Sequence, residues 1–288
     1  VLFRSLAVNF IHPHQPVTPP QFYFDKYMDM DLPEPFVGDW ARVFDGPVRG
    51  LQPECWRLSL DAPVMKATRA GYYGCIEHVD HQIARLVSGR VLPDNTIIVF
   101  ASDHGEMLGD HQWLRKRNPF EPSAHVPLLM KFPESMGLPQ EQVLDHPVEL
   151  MDIMPTLLDA AGASIPDTVE GQSVLPIIRD PESTWRDYVH GECANVPSSD
   201  SGMQYLTNGK LKYIWLPGQD RELFFDLEND PNEMTDLSAH PNWADEITQW
   251  RQRLIQELTD RPEGFTDGQT LIKQDGPTTG TLPVWENV

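Results

Sequence analysis

Ionisable side chains are concentrated directly after a short apolar segment near the middle of the sequence. Residues 96–100 favour a β-strand, and Asp103, His104 and Lys116 follow them. A carboxylate and an imidazole at the end of a strand are usual ligands of a divalent cation. A lysine ammonium nearby could place a positive charge on a substrate oxygen. The segment therefore indicates either a metal-assisted site for an anion or a charged turn.

The charged-turn alternative is strong for each residue taken alone. An Asp-His-Gly sequence can form an Asx turn that holds no metal. Adjacent residues of a regular strand point to opposite faces, so Asp103 and His104 can share one ion only where the chain turns, as Gly105 allows. Lys116 lies in a basic triplet, and such a lysine is by default a solvated surface residue.

Three histidines elsewhere are further candidates. His14 and His12 lie in the Pro-rich sequence His12-Pro-His-Gln-Pro16, where rigid prolines suit a positioned acid or base. His125 precedes a second strand candidate at residues 126–132. Each histidine also has a structural interpretation, because Pro-rich loops often carry histidine without function and His125 could be a half-buried, capped residue.

Composition restricts the partners of the chain. The formal net charge of -21 and the pI near 4.7 oppose binding to nucleic acid or to an anionic membrane surface. No stretch approaches the roughly 20 apolar residues of a membrane span. The three cysteines, Cys55, Cys75 and Cys193, have neither a zinc-binding spacing nor a disulfide pattern. An anionic small substrate would need a local positive site.

The pattern of apolar residues predicts the elements that must position these side chains. Residues 6–11 read as a buried strand, and residues 25–63 as a long surface excursion. Apolar residues at helical spacing predict a helix of about six turns from residue 65 to a stop at Gly89 and another at residues 154–161. Alternating strands and helices in this order predict a parallel sheet with helices on its faces.

A smaller antiparallel unit is predicted after about residue 185. Asn208-Gly209 between two β-rich runs is a hairpin signal, and residues 223–227 predict a third strand. Apolar residues from Trp243 to Leu258 then predict a helix. We therefore expect two units, a partial α/β domain at 1–184 and an α+β subdomain with an irregular tail at 185–288.

Combined along the chain, these motifs resemble the sulfatase family of the alkaline phosphatase superfamily. The matching stretches cover most of the sequence: Tyr72-Tyr73, residues 92–105 ending in Ser102-Asp-His-Gly105, Leu108-Gly-Asp-His111, Lys116, His125-Val-Pro-Leu128, residues 148–162, Glu170-Gly171 and residues 225–231. The resemblance implies an α/β fold of the alkaline-phosphatase type, a mostly parallel sheet flanked by helices with a smaller C-terminal antiparallel α+β subdomain.

The resemblance also implies roles for individual residues. Asp103 and His104 look like metal ligands, commonly of calcium. Lys116 looks like the lysine that touches the sulfate and leaving-group oxygens, and His14 like the histidine that assists the leaving oxygen. We expect substrate contacts from His12 and His125. Many sulfatases have Asn in place of His104, and because an imidazole is softer than Ca²⁺ prefers, Mn²⁺ and Zn²⁺ are alternatives.

One family signature is missing from this sequence. Sulfatases carry a Cys or Ser in a C/S-x-P-x-R motif that becomes a formylglycine nucleophile, and each cysteine here lacks the Pro and Arg that the motif requires. The resemblance is thus to the C-terminal portion of a bacterial arylsulfatase-type enzyme, with the nucleophile and an acidic ligand pair expected upstream. We expect this chain alone to be inactive.

The predicted function is hydrolysis of a small-molecule or carbohydrate sulfate ester. A phosphonate or phosphate ester hydrolase of the same superfamily is one alternative, and a non-catalytic sulfatase-like binding protein is another. The sequence leaves the metal, the oligomeric state and a cytoplasmic or periplasmic location open.

Overall fold

The computed structural model describes residues 5–41, 60–88, 92–193 and 202–275. Cys55, most of the second half of the predicted surface excursion and the predicted helix stop at Gly89 lie outside these residues. The helices are α1 (Gln21–Met28), α2 (Ala62–Ser88), α3 (Glu121–Ala124), α4 (Ile153–Ala160), α5 (Leu175–Arg179) and α6 (Ala244–Leu258). The strands are β1 (Ile98–Ala101), β2 (Leu128–Lys131), β3 (Val189–Cys193), β4 (Met203–Thr207), β5 (Leu211–Leu216) and β6 (Arg221–Asp226).

Helix α2 confirms the predicted long helix, but a different face of it is buried. Ile76, Leu86 and Val87 of the predicted apolar stripe are exposed, whereas the buried residues lie between Met65 and Cys75. Small residues there let the preceding chain approach closely: a Cβ on Gly71 would lie 2.5 Å from the carbonyl oxygen of Val17. Close backbone packing, which hydrophobic periodicity does not report, therefore sets the orientation of α2.

Strands β1 and β2 pair with each other in antiparallel register, with Phe100 opposite Leu129. The parallel order predicted for these two strands is therefore wrong. The predicted strand at residues 6–11 is also wrong, because this segment is exposed and forms no ladder within the described chain. A strand requires a neighbour for its backbone N–H and C=O groups, and apolar composition alone does not supply one.

The C-terminal part forms a four-stranded antiparallel sheet in the order β3-β4-β5-β6. The predicted hairpin turn joins β4 to β5, where Gly209 adopts a φ of +83°. Helix α6, predicted from its apolar spacing, covers one face of the sheet through Trp250, Leu254 and Leu258. Strand β3 was not predicted, because its sequence Val-His-Gly-Glu-Cys does not alternate in hydrophobicity.

The other face of this sheet packs on the segment that carries the candidate site residues. Ile214 and Leu216 of β5 point to that face and join a core cluster with Met107 and Phe120. Tyr213 and Trp215, the alternate residues, point to α6. The C-terminal sheet is therefore sandwiched between α6 and the chain around residues 107–120. In the described part of the chain, no helix is both long and apolar enough to cross a membrane.

A buried charge lies on the same face of β5. Lys212 is 1% exposed, and its Nζ donates to the Pro119 carbonyl at 2.8 Å and contacts Glu121 Oε1 at 2.5 Å and Glu233 Oε1 at 2.9 Å. Burial would lower the pKa of Lys212, but the carboxylates of Glu233 and Glu121 outweigh it and raise the pKa. The ammonium therefore stays charged and ties β5 to the start of α3.

Replacing Lys212 with Met should destabilise the fold strongly. Two carboxylates would lose their shared cation inside the core, which costs about 3–5 kcal/mol when one partner of a buried pair is removed. Lys210→Met is the matched control, because Lys210 is exposed and lies 3.6 Å from Glu228. Urea unfolding followed by tryptophan fluorescence measures both variants. Equal midpoints for the two variants would contradict the role of Lys212.

Candidate active site

His14 and Lys116 meet although 102 residues separate them in sequence. His14 Nε2 lies 2.6 Å from Lys116 Nζ, and His14 Nδ1 lies 2.8 Å from the carbonyl oxygen of Gln15. Because a carbonyl can only accept, Nδ1 carries the proton and Nε2 offers its lone pair to the ammonium. The imidazole is thus held in one tautomer with its Nε2 edge directed at the lysine.

Asp103 and His104 follow β1 where the chain leaves the strand. His104 Nδ1 lies 2.9 Å from the Gly105 carbonyl oxygen, so this nitrogen donates and Nε2 is the free acceptor. His104 Nε2 lies 3.6 Å from Asp103 Oδ2, and the Asp103 side chain is 84% exposed. The turn at Gly105 therefore brings both side chains to one side, which a regular strand would prevent.

These two pairs lie side by side. The rings of His14 and His104 are 6.0 Å apart, edge to face. The structure thus gathers His14, Lys116, Asp103 and His104 from two distant segments into one partly exposed cluster. Asp103 and His104 would hold a cation that adds its positive charge to that of Lys116, and the combined charge would favour an anion.

Charges around Lys116 act on its ammonium in opposite directions. Partial burial is the largest effect and lowers the pKa of Lys116, and Arg115 and Arg117 lower it further. Glu106 and Asp103 raise it but do not offset the burial. Lys116 is thus a partly desolvated cation, and a desolvated cation interacts more strongly with an anionic oxygen than a solvated one does.

Lys116 lies at the end of a strained loop. Backbone φ is positive at Leu108, His111, Gln112, Arg115 and Arg117, a region that favours glycine. Such conformations cost energy and persist only where surrounding contacts impose them.

Buried contacts impose this loop. Arg69 of α2 reaches Asp110 Oδ1 at 2.5 Å and the Leu108 carbonyl oxygen at 3.0 Å. His111 is fully buried, and its Nδ1 accepts from Gly38 N at 3.0 Å. Burial lowers the pKa of His111 to about 4, so this ring stays neutral and acts in packing.

His12 and His125 make their contacts elsewhere. The ring of His12 lies 6.5 Å from that of His78 on α2. His125 Nδ1 pairs with Glu121 Oε2 at 2.8 Å, and Glu121 also contacts the buried Lys212. His125 is thereby part of the ion cluster of the fold. Its predicted contact with substrate, like that of His12, stays a prediction.

Asp103 and His104 can supply only some of the ligands that a divalent cation requires. The exposed carboxylate of Asp103 is a suitable ligand for Ca²⁺ or Mn²⁺, whereas the imidazole nitrogen of His104 suits a transition metal such as Zn²⁺ better than Ca²⁺. Across the described residues, no group of three or more His, Cys, Asp and Glu side chains converges to hold an ion. The pair therefore suits a shared site that draws its other ligands from water or from further groups.

Two residues of this region were not identified from the sequence. Gln15 Nε2 donates to Glu106 Oε2 at 2.5 Å, and Glu106 Oε1 accepts from the backbone N–H of Arg115. Sequence analysis assigned no catalytic or binding role to Gln15 or Glu106. The contact between them spans 91 positions, so no local pattern could have revealed it.

Comparison with solved structures identifies the chain as an α/β protein of the alkaline-phosphatase-like fold. A putative sulfatase structure from Bacteroides fragilis has the same fold, with a TM-score of 0.67, 22% identity and coverage of 86% of this chain and 52% of that one. The phosphonate monoester hydrolase structure from Agrobacterium radiobacter matches with a TM-score of 0.56 and 30% identity over 67% of this chain and 41% of that one.

Sequence comparison identifies the family. The sulfatase family model matches residues 4–163, and the model for the C-terminal region of N-sulphoglucosamine sulphohydrolase matches residues 109–260. The chain belongs to the sulfatase family. An arylsulfatase of Clostridium perfringens is 44% identical over 93% of this chain and 56% of its own length. The chain spans about half the length of the curated relatives it matches.

The ion pair between His125 and Glu121 should be detectable in the titration of the His125 ring. The hydrogen bond that His125 donates to the Glu121 carboxylate raises the pKa of His125, so the pair stabilises the fold at low pH, and this contribution is lost as pH rises through the raised pKa. Glu121→Gln should lower the His125 pKa toward its ordinary value of about 6.5. NMR titration of the ring protons measures it, with exposed Glu134→Gln as control. A His125 pKa that is the same with and without the Glu121 carboxylate would refute the assignment.

Proposed function

We propose that this chain supplies the metal-binding and leaving-group side of the active site of a sulfate ester hydrolase. The contact that carries the proposal is the 2.6 Å approach of His14 Nε2 to Lys116 Nζ beside the Asp103–His104 pair. An acid–base group, a cation and metal ligands on one surface suit cleavage of an anionic ester. Membership of the sulfatase family points to a sulfuryl centre.

Lys116 and His14 have different roles in the proposed cleavage of the ester. Lys116 donates to an oxygen of the sulfuryl group and balances the negative charge that develops there. As the nucleophile forms its bond to sulfur and accepts the sulfuryl group, the S–O bond to the leaving group breaks, and His14 in its protonated form transfers the Nε2 proton to the departing oxygen. The alcohol or phenol leaves neutral, and the imidazole returns to the neutral tautomer that the structure shows.

Asp103 and His104 would hold the divalent cation, with Ca²⁺ expected and Mn²⁺ or Zn²⁺ as alternatives. When bound, the metal supplies Lewis-acid stabilisation of a sulfuryl oxygen and orients the nucleophile. The nucleophile itself is proposed to be a formylglycine contributed from outside this sequence. The division into a partial α/β domain at 1–184 and a C-terminal subdomain at 185–288 is part of the same proposal.

A phosphonate monoester hydrolase is the second candidate. The observation in its favour is the solved phosphonate monoester hydrolase of Agrobacterium radiobacter, which is 30% identical to the matched part of this chain. The phosphorus of a phosphonate monoester is tetrahedral like the sulfur of a sulfate ester, and it carries two non-bridging oxygens where the sulfur carries three. Lys116, His14 and the metal pair could therefore serve either ester.

Substrate preference separates the two candidates. We expect the full-length gene product to have a higher kcat/KM for an aryl sulfate than for the matched aryl phosphonate monoester, measured by release of the same phenol. Lys116→Met should abolish most of that turnover, whereas Lys131→Met on the exposed surface of β2 should leave it unchanged. Equal or faster phosphonate turnover would favour the second candidate. No turnover of either ester would favour a binding role.

Metal binding can be tested on this chain directly. Asp103→Ala should weaken Mn²⁺ binding by about ten-fold or more, because it removes an anionic ligand. His104→Asn should shift the preference from Mn²⁺ toward Ca²⁺, since it replaces a nitrogen donor by an oxygen donor. Isothermal titration with each ion measures both effects, and exposed Asp94→Asn is the control. Unchanged affinity in Asp103→Ala would show that the ion binds elsewhere.

A further inference from the structure

We propose that Glu106 is a positioning residue that holds His14 against Lys116. This inference rests on the proposed function, because it concerns the two residues assigned to the leaving group. Glu106 touches neither of them. Instead its carboxylate binds the sequence neighbour of each, Gln15 beside His14 and Arg115 beside Lys116.

The geometry uses both oxygens of the carboxylate. Glu106 Oε2 accepts from Gln15 Nε2 at 2.5 Å, and Glu106 Oε1 accepts from the backbone N–H of Arg115. The N–H of Leu108 lies 3.4 Å from Oε1 as well. One anionic group thus connects two segments that are otherwise far apart in sequence, and hydrogen bonds to an ionised acceptor are stronger than neutral ones.

The backbone of Glu106 is itself fixed. Its N–H donates to the Pro122 carbonyl at 2.8 Å, and the N–H of Gly105 donates to the Ser123 carbonyl at 2.8 Å. A carboxylate that merely capped a turn would bond to its own neighbourhood. This one starts from a segment anchored on α3 and reaches 91 positions back to Gln15.

The segment that carries His14 needs such a tether. Residues 5–11 before it are exposed and lack regular secondary structure, and His14 is itself exposed. Lys116 lies in the loop with left-handed backbone at Arg115 and Arg117. A displacement of about 1 Å between catalytic groups can cost about 10²-fold in rate, so the Gln15–Glu106 bond has a functional consequence.

The hydrogen bond between Gln15 and Glu106 can be rebuilt with its donor and acceptor exchanged. Gln15 Oε1 is buried and has no hydrogen-bond partner in the described chain. Gln15→Glu alone would place two carboxylates face to face and break the contact. In the double variant Gln15→Glu with Glu106→Gln, the amide of residue 106 can donate to residue 15 while its oxygen still accepts from Arg115.

The contact between His14 and Lys116 can be measured in this chain by ¹⁵N NMR of the His14 ring. The ¹⁵N resonances of the His14 ring are recorded for wild type, for Gln15→Glu and for the double variant, with Lys116→Met as the reference for a lost contact. Gln249→Glu, on the exposed side of α6, is the matched charge control. Gln15→Ala removes the same contact without adding a charge and serves if Gln15→Glu does not fold.

We expect Gln15→Glu and Gln15→Ala to move the Nε2 resonance to the Lys116→Met position and the double variant to return it to the wild-type position. In the full-length gene product, kcat should fall about 10²-fold in the single variants and recover in the double variant, with little change in KM. An unmoved resonance in Gln15→Ala, or a double variant no better than Gln15→Glu, would overturn the proposal. Because the resonance is measured without turnover, an inactive wild type would count against the proposed function only.

Discussion

Burial of the Lys212 ammonium is the constraint on which the arrangement of the site depends. Removing an ammonium from water costs several kcal/mol unless close partners compensate, and here two carboxylates and one carbonyl do so. One of these carboxylates belongs to Glu121, the first residue of α3. The next two residues of α3 accept backbone hydrogen bonds from Glu106 and Gly105. The C-terminal sheet therefore positions the residues that directly follow the Asp103–His104 pair.

A second consequence of this arrangement is that the loop of residues 108–117 can hold strained backbone conformations. Left-handed conformations at five non-glycine residues between 108 and 117 would relax in an isolated peptide. The buried Arg69–Asp110 pair and the fully buried His111 prevent this from two sides, one through α2 and the other through the aromatic core around Trp40. Energy stored in the loop is thus offset by core contacts, and the loop presents Lys116 at a fixed place. A relaxed loop would leave the lysine mobile in solvent.

Local pattern predicted those parts of the structure that local physics determines. The Asn208-Gly209 turn, the apolar spacing of α6 and the motif Ser102-Asp-His-Gly105 all depend on residues close in sequence, and each was predicted from them. The failures have a common cause. Residues 6–11 have the composition of a strand, but pairing depends on a neighbour that composition cannot identify.

The same limit applies within the site. Glu106 and Lys212 look like ordinary charged residues in the sequence, because Gln15 lies 91 positions from Glu106 and Pro119 lies 93 positions from Lys212. Only the fold brings such partners together. Sequence resemblance selected Asp103, His104, Lys116 and His14 by family motif, and the structure adds that His14 and Lys116 touch.

The charge of the chain also bears on the proposed substrate. A chain of net charge -21 repels anions at long range, and the repulsion grows with the charge of the anion. Sulfate esters and phosphonate monoesters are both monoanions at neutral pH, whereas phosphate monoesters are largely dianions. In the proposed site the local positive charge would come from Lys116 and from a divalent cation at Asp103 and His104, while Glu106 and Asp103 balance part of it. For the proposed hydrolase, long-range repulsion therefore opposes phosphate monoesters more than the two monoanionic esters, and the choice between those two depends on how the reacting sulfuryl or phosphoryl centre is engaged.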